Sequence, residues 1–163
     1  MIRVGIGFDA HRFDASRPLV LAGVTIPGAP GLSGHSDADV LSHAVADALL
    51  GAAQLGDLGD HFPNDARWKD ASSLEILEKT AEMIVDDAWT VASLDATIIA
   101  ERPALAPFRE EMRRNIAKAV GVDSGEFSVK ATTTDGMGFT GRGEGIAALV
   151  VAALFRPDPD SPK

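Results

Sequence analysis

The sequence predicts a single α+β domain, with one four- to five-stranded mixed sheet and helices on one face. Three observations lead to this class. Apolar extended segments open and close the chain, apolar stripes at helical spacing lie between them, and the two kinds of segment alternate unevenly. A chain of 163 residues is long enough for one domain with a substantial core, which we expect to span residues 1–155.

Two extended segments open the chain. Residues Ile2–Phe8 are apolar with loose alternation, which predicts a buried strand. Leu19–Ile26 predicts a second strand or a hairpin partner, because a Pro-Gly pair follows it. The Pro- and Gly-rich residues 27–36 are expected to form a loop.

The first helix is expected directly after this loop. Residues 37–55 carry apolar side chains at the spacing of one helix face, and Ser36 or Asp37 is placed to cap the first turn. Residues 56–71 are rich in glycine, aspartate and other polar residues, which indicates another loop.

Two further helices and three strands follow. Ser72–Glu75 has the pattern of a capping box and predicts a helix to about Asp87, and another helix is expected to stop at Gly121. Three segments are predicted strands: Thr90–Ala100, Phe127–Thr133 and Ile146–Phe155. We expect the last two to pair antiparallel across a Gly-rich turn, and residues 156–163 to form a disordered tail.

The composition excludes several classes of protein. The 24 acidic and 15 basic residues give a formal charge of −9, and no Lys/Arg-rich run is present, which argues against a nucleic-acid partner. The absence of cysteine excludes disulfides and thiolate chemistry. No apolar stretch reaches the ~20 residues of a membrane span, and no signal peptide precedes the first strand pattern. We therefore expect a soluble, cytoplasmic protein without a membrane partner.

The sequence Asp9-Ala10-His11 follows the first apolar run. Alternate residues of an extended chain point the same way, so this carboxylate and this imidazole face one point. With His43 on the first helix they would make three zinc ligands, which leaves a coordination position open for substrate. The D-x-H pattern alone is more often a solvated strand end. Asp39 and Asp47, on the His43 face, are either partners of a ligand imidazole or solubilising residues.

Other polar clusters have features of a phosphate site. His35 and Ser36 lie where a loop meets a helix, and free N–H groups at a helix N-terminus favour phosphate. Three threonines at residues 132–134 precede Asp135. Threonines in a strand ordinarily reflect β-propensity, and the Gly-rich residues 138–145 could form only a tight hairpin.

Together these motifs resemble a known family. F-D-x-H, H-S-D-x-D, and K-A-T-T-T followed by G-F-T-G-R-G-E-G resemble the 2-C-methyl-D-erythritol 2,4-cyclodiphosphate synthases of the non-mevalonate isoprenoid pathway, from Ile2 to Phe155. The resemblance implies a homotrimer whose sheets face inward around a threefold axis, with active sites between neighbouring subunits. It also implies the reaction: 4-diphosphocytidyl-2-C-methyl-D-erythritol 2-phosphate is converted to the 2,4-cyclodiphosphate and CMP by metal-assisted intramolecular phosphoryl transfer.

The resemblance further implies a role for each motif residue. His35 and Thr133 would stabilise the transition state, and Zn²⁺ would lie on Asp9, His11 and His43. Asp135, where the family usually has Glu, would bind Mg²⁺ or Mn²⁺. Substrate would contact eight residues: Ser36, Asp57, Gly59, Phe62, Asp65, Thr132, Phe139 and Arg142. The cytidine end would lie on Ala100, Glu101, Arg102, Pro103, Ala104, Leu105 and Ala106.

Three features depart from the family pattern or stay open. The loop after Phe62 is one residue shorter than usual, so that either Asn64 or Asp65 faces substrate. Ala104 replaces a common lysine, which removes one cation near the diphosphate, so that either Arg102 compensates or the nucleotide affinity is weaker. Arg142 is implied to guard a cavity along the trimer axis, with an isoprenoid diphosphate as its candidate occupant.

Two alternative functions remain open at this point. A zinc phosphohydrolase would share the metal and phosphate sites, but would activate water and release a linear product. A non-catalytic isoprenoid-diphosphate binder would need the cavity and Arg142, but not His35, Thr133 or the zinc ligands.

Overall fold

Five strands form one mixed sheet in the computed structural model, which describes residues 1–157. The strands are β1 (Ile2–Leu21), β2 (Val24–Leu32), β3 (Thr90–Ile99), β4 (Phe127–Thr132) and β5 (Gly145–Phe155). Their order in the sheet is β2-β1-β5-β3-β4, with β3 and β4 parallel and the other neighbours antiparallel. The predicted α+β class with a mixed sheet is confirmed. Most of the predicted tail, residues 158–163, lies outside the described residues.

Within residues 1–157, five α-helices accompany the sheet: α1 (Val40–Ala53), α2 (Leu58–His61), α3 (Ser73–Asp86), α4 (Arg109–Val120) and α5 (Gly138–Gly141). The long helix α1 lies across β1 and β5, α3 packs between α1 and α4, and α4 contacts β4. The apolar core lies between these helices and one face of the sheet. Among residues 1–157, no helix combines the length and hydrophobicity needed to cross a bilayer.

The N-terminal strands are longer than the sequence predicted. β1 does not end at Phe8, so Asp9 and His11 lie within a continuous strand and not at its end. The segment predicted as one strand, 19–26, is a hairpin that turns at Ala22 and Gly23, both with positive φ. Residues 27–32, predicted as a loop, belong to β2. Prolines are tolerated there because β2 is an edge strand.

The predicted pairing of the last two strands is wrong. β5 lies between β1 and β3, and β4 pairs with β3 instead of β5. The Gly-rich connection contains the short helix α5 and is not a tight hairpin. Burial explains this order, because the almost wholly apolar β5 takes a central position while β4 carries the exposed Lys130 at the sheet edge.

The starts of α1 and α3 both differ from the sequence prediction. The cap of α1 is Asp39, which accepts a hydrogen bond from the Ser42 amide (3.1 Å), and not residue 36 or 37. The predicted capping box of α3 is wrong, because Ser72 makes no side-chain cap bond. Instead the carboxylate of Asp37 accepts a hydrogen bond from the Ser73 amide (3.0 Å). A side chain from a distant segment thus replaces the local cap.

One face of the sheet remains uncovered by the described residues. Alternate side chains of β1 and β5 point away from α1 and are 40–71% exposed: Ile2, Val4, Ile6, Phe8, Leu149, Val151 and Phe155. They are cross-strand neighbours, with Phe8 opposite Leu149 and Ile6 opposite Val151. This continuous apolar patch is the kind of surface that marks a protein interface.

On the opposite face, α1 lies directly on two glycines of β1. A Cβ atom on Gly5 would overlap the carbonyl oxygen of Ala48, and one on Gly7 would overlap that of Ala44. The absence of side chains at these two positions therefore fixes how closely helix and strand approach. His43 immediately precedes Ala44, so the same contact brings it to the strand.

We expect Gly7→Ala to lower the free energy of unfolding by about 1–3 kcal/mol or more, since the added methyl forces α1 away from β1. The matched control is Gly51→Ala in α1, where no atom lies within 4 Å of the added Cβ. This variant should stabilise the chain by up to about 1 kcal/mol. Urea denaturation of both variants is the measurement, and equal midpoints would contradict the close contact.

Candidate active site

Asp9, His11 and His43 form a compact cluster between β1 and α1. Asp9 Oδ2 lies 2.8 Å from His11 Nε2 and 3.1 Å from His43 Nδ1, and the two nitrogens are 3.4 Å apart. Ligand atoms about 2.0–2.1 Å from a tetrahedral zinc ion are about 3.3–3.4 Å from one another. The three groups therefore have the number, type and spacing of ligands needed to hold a divalent metal ion.

The carboxylate of the cluster is held in its ionised form. Burial opposes ionisation of Asp9, but hydrogen bonds from His11 and His43, together with their charges, hold the pKa of Asp9 well below its ordinary value. Burial also opposes charge on His11, yet its hydrogen bond to Asp9 raises the pKa of this imidazole. An anionic oxygen thus faces two imidazole nitrogens, which suits a cation at the centre.

Both imidazoles have a hydrogen-bond partner on the side away from the cluster. His11 Nδ1 lies 2.8 Å from the carbonyl oxygen of Ser33, and His43 Nε2 lies 2.9 Å from Ser73 Oγ and 3.2 Å from Ser36 Oγ. Such partners orient metal-binding histidines. Sequence reasoning missed Ser33 and Ser73, because nothing in the local pattern indicates that residue 73 reaches residue 43.

The two aspartates considered as partners of His43 have other contacts. Asp39 is fully buried and accepts hydrogen bonds from the amide of Gly23 (2.9 Å) and from Ser42. Asp47 accepts a hydrogen bond from the amide of Leu58 (2.8 Å). Burial raises the pKa of both carboxyls. Both residues therefore hold loops against α1, and neither is a solubilising residue.

A cavity of about 550 Å³ opens beside the cluster. Besides the three ligands, its walls include these residues: Gly34, His35, Ser36, Asp47, Gly59, Phe62, Asn64 and Trp68. This cavity thus also contains four residues that the sequence predicts to contact substrate or to stabilise the transition state: His35, Ser36, Gly59 and Phe62. The His35 ring lies 2.7 Å from the carbonyl oxygen of Asp65 through Nε2.

Other residues predicted at this site are placed differently. Asp57 is the exposed cap of α2, and its carboxylate accepts from the Asp60 amide (3.1 Å). The carboxylate of Asp65 forms an ion pair with Arg67 (2.8 Å), while Asn64 lines the cavity. The predicted helix N-terminus next to residues 35–36 is also absent, because α1 begins only at residue 40 behind its own aspartate cap.

A second cavity, of about 600 Å³, lies at the far end of β3 and β4. The whole predicted nucleotide segment, 100–106, lines it together with Arg109, Ala131, Thr132 and Thr133. Arg109 supplies a cation to this cavity, which Ala104 also lines. Glu101 joins this segment to the threonine loop, since it accepts a hydrogen bond from the amide of Thr134 (2.8 Å), which lowers the pKa of Glu101.

The sheet separates the two groups of residues. Asp9 pairs with Ala148, which pairs with Ile98, which in turn pairs with Ala131. The backbone of Asp9 is therefore three strand spacings, about 14 Å, from that of β4, the strand that carries Thr132. Thr133 and its neighbour Asp135, 3.4 Å apart through side-chain oxygens, do not line the metal cavity of the same chain.

Phe139 of α5 and Arg142 directly after it lie outside both of these cavities, although Arg142 lines a third cavity, of about 560 Å³, with residues 101–104. Arg142 forms an ion pair with Glu144 (2.6 Å) and is exposed. Phe139 is 40% exposed and lines a small recess of about 280 Å³ beside His11 and Arg12. Their side chains are thus available to a neighbouring molecule.

Comparison with known proteins identifies the family. The family model described as "YgbB family" matches residues 2–155 of the chain. The chain belongs to the YgbB family. A curated relative from Desulfatibacillum aliphaticivorans, named 2-C-methyl-D-erythritol 2,4-cyclodiphosphate synthase, is 55% identical over 94% of this chain and 99% of its own length. The resemblance expected from the sequence is confirmed, and this member of the YgbB family is an enzyme of the cyclodiphosphate synthase type.

Solved structures of YgbB-family relatives have the same fold. The bifunctional IspDF from Campylobacter jejuni superposes with a TM-score of 0.93 at 42% identity, over 97% of this chain and 43% of that longer protein. IspF from Plasmodium falciparum, solved as a CDP complex, gives a TM-score of 0.84 at 28% identity, over 96% of this chain and 97% of that one.

We expect His43→Ala to abolish stoichiometric binding of zinc while the fold persists, because an open metal site at the edge of the core contributes little to a domain of this size. The matched control is His61→Ala, which removes an imidazole bonded to the Leu55 carbonyl (2.7 Å) outside the cluster. Metal analysis after zinc loading and dialysis measures the effect. Full occupancy of the His43 variant would show that the ligands are assigned wrongly.

Proposed function

We propose that the chain converts 4-diphosphocytidyl-2-C-methyl-D-erythritol 2-phosphate to 2-C-methyl-D-erythritol 2,4-cyclodiphosphate and CMP, a lyase step of the non-mevalonate isoprenoid pathway. The observation that carries the proposal is the triad of Asp9, His11 and His43, opening on a cavity that also contains His35. The name of the relative at 55% identity supports the substrate. The predicted cytoplasmic location stays a prediction.

Two metal ions are part of this proposal. Asp9, His11 and His43 would hold Zn²⁺, and the open side of the triad faces the cavity. Asp135 would hold Mg²⁺ or Mn²⁺, which commonly bind one or two carboxylates together with substrate phosphates. Its exposed carboxylate beside the Thr133 hydroxyl fits a hard cation. When bound, these cations neutralise charge on the substrate diphosphate.

The chain's own groups then position the substrate. The attacking oxygen belongs to a phosphate dianion, so no strong general base is required. Its bond to the β-phosphorus forms as the bond to the CMP oxygen breaks. His35 would contact the phosphate in the metal cavity, and the Thr133 hydroxyl would donate a hydrogen bond to it from the second cavity. Donors that bind charge developed in the transition state accelerate transfer without covalent chemistry.

The nucleotide end would lie in the second cavity, on the backbone of residues 100–106. The hydrogen bonds of Glu101 to the amides of Thr134 and Gly136 hold that segment next to the threonine loop. Arg109 lines the same cavity and would compensate for the cation missing at Ala104. The CDP bound by the Plasmodium falciparum relative supports a cytidine nucleotide here.

A homotrimer would unite the two halves of this site. On one chain the metal triad and Thr133 open into different cavities, across about 14 Å of sheet. The apolar face of β1 and β5 also needs a cover. We propose that three copies bury these faces against one another, and that each active site takes the triad from one subunit and the nucleotide segment from its neighbour. An isoprenoid diphosphate near Arg142 on the trimer axis stays a prediction.

We expect incubation of the substrate with enzyme and Mg²⁺ to yield CMP and the cyclic diphosphate in equal amounts, since the leaving group and the ring arise in one step. ³¹P NMR measures both products. CMP together with a linear product would instead identify a zinc phosphohydrolase. No turnover, with retained binding of an isoprenoid diphosphate, would identify a non-catalytic binder.

A mixing experiment tests the shared site. His43→Ala and Thr133→Val should each be about 10²-fold or more less active than the wild type, because each lacks one half. After subunit exchange of an equal mixture, random assembly restores about a quarter of the sites. Each variant exchanged with itself is the control. An active monomer in sedimentation, or no recovery after proven exchange, would contradict the proposal.

A further inference from the structure

A partly buried chain of hydrogen bonds lies behind His43, on the side away from Asp9 and His11. His43 Nε2 is 2.9 Å from Ser73 Oγ, and the Ser73 hydroxyl donates a hydrogen bond to Asp37 Oδ1. Ser73 is only 1% exposed. None of the steps proposed above uses Ser73 or Asp37, and neither belongs to the residues that the family resemblance assigned to the site.

The direction of each hydrogen bond follows from the acceptors. The Asp37 carboxylate also accepts from the amides of Ser73 (3.0 Å) and Asp39 (3.2 Å), so it acts as an acceptor throughout. The single hydroxyl proton of Ser73 is directed to Asp37. Ser73 Oγ can then only accept a hydrogen bond from His43, which requires the imidazole to carry a proton on Nε2. Nδ1, which lies 3.1 Å from Asp9 Oδ2, is then the nitrogen that gives up its proton when a cation binds, and its lone pair would face that cation.

The alternative partner of His43 does not set this direction by itself. Ser36 Oγ is farther from Nε2 (3.2 Å), and its contact with Ser73 Oγ is 3.5 Å. No carboxylate oxygen is bonded to the Ser36 hydroxyl among the described contacts, so its proton is free to point either way. Only the Ser73 branch ends on a group that can accept and cannot donate.

We propose that Ser73, held by Asp37, is a positioning residue that fixes the tautomer and ring orientation of His43 for metal binding. The proposal rests on the metal site of the proposed function. With the proton on Nδ1, His43 would present an N–H to the ion and could not ligate it. Because Ser73 is the first residue of α3, the same contact makes the metal affinity depend on how α3 sits against α1.

Zinc affinity of metal-free protein tests the proposal, measured by competition with a chelating dye. Ser73→Ala should weaken binding about 10- to 100-fold, the range found when an outer partner of a ligand histidine is lost. Asp37→Asn should weaken it as well although Ser73 is still present, because an amide can donate to Ser73 and reverse the bond. Ser72→Ala is the matched control, since this neighbouring serine makes no side-chain cap bond, and it should bind zinc as the wild type does.

A spectroscopic readout separates positioning from general destabilisation. In ¹⁵N-histidine-labelled, zinc-loaded wild type, NMR should show His43 bound through Nδ1 with its proton on Nε2. Ligation through Nε2 would overturn the proposal, and so would wild-type zinc affinity in both folded variants. If Ser73→Ala does not fold, Asp37→Asn and the wild-type spectrum decide. Failure of the wild type to bind zinc, or binding unaffected by His43→Ala, would instead refute the metal site itself.

Discussion

The backbone of α1 rests on Gly5 and Gly7 of β1, where any side chain would overlap the helix carbonyls. This contact sets the relative positions of Asp9, His11 and His43. Asp9 follows Gly7 on the same strand face, and His43 lies one residue before the helix carbonyl that Gly7 approaches. Ligand atoms 2.8–3.4 Å apart thus come from a strand and a helix whose separation is already fixed by packing. Regular elements hold ligands more accurately than loops do.

Around this contact, hydrogen bonds hold several loops in place. The loop at 33–36 is held by Arg17, whose guanidinium donates to the carbonyls of Gly34 (2.6 Å) and Ser36. That loop in turn gives the Ser33 carbonyl to His11 and leaves His35 facing the cavity. Asp39 pins the β1–β2 turn to α1 through the Gly23 amide. These hydrogen bonds outside the site therefore position the residues within it, because each bonded group limits the motion of the next.

Two features of the chain have one common explanation in the proposed trimer. In a single copy, the apolar face of β1 and β5 is exposed to solvent. Thr133 is also separated from Asp9, His11 and His43. A closed ring of subunits would cover the apolar sheet face. It would also allow an active site to be assembled from two chains. The strand β1 carries Asp9 and His11 on one face and Phe8 on the other, so the proposed assembly and the proposed metal binding depend on the same strand.

The sequence alone determined the features that depend on near neighbours. The alternation of a strand places Asp9 and His11 on one face, the helical stripe places His43 on α1, and the motif set identifies the family; all three are confirmed. Residues 100–106, predicted to hold the nucleotide, all line one cavity, but their role stays a prediction. In each case the pattern involves residues that are close together along the chain, so local spacing is enough to predict their placement.

Only the tertiary structure decided what depends on distant partners. The central place of β5 follows from burial on the sheet, which no local pattern encodes. The prolines of β2 predict a loop, because the place of this strand at the sheet edge, where unpaired positions tolerate proline, is not visible in the sequence. Asp37 caps α3 and Ser73 reaches His43 across 30 residues of chain, contacts set by the packing of α3 on α1. Hydrogen-bond partners far apart in sequence are chosen by the three-dimensional fit of whole elements, and residue order does not record that fit.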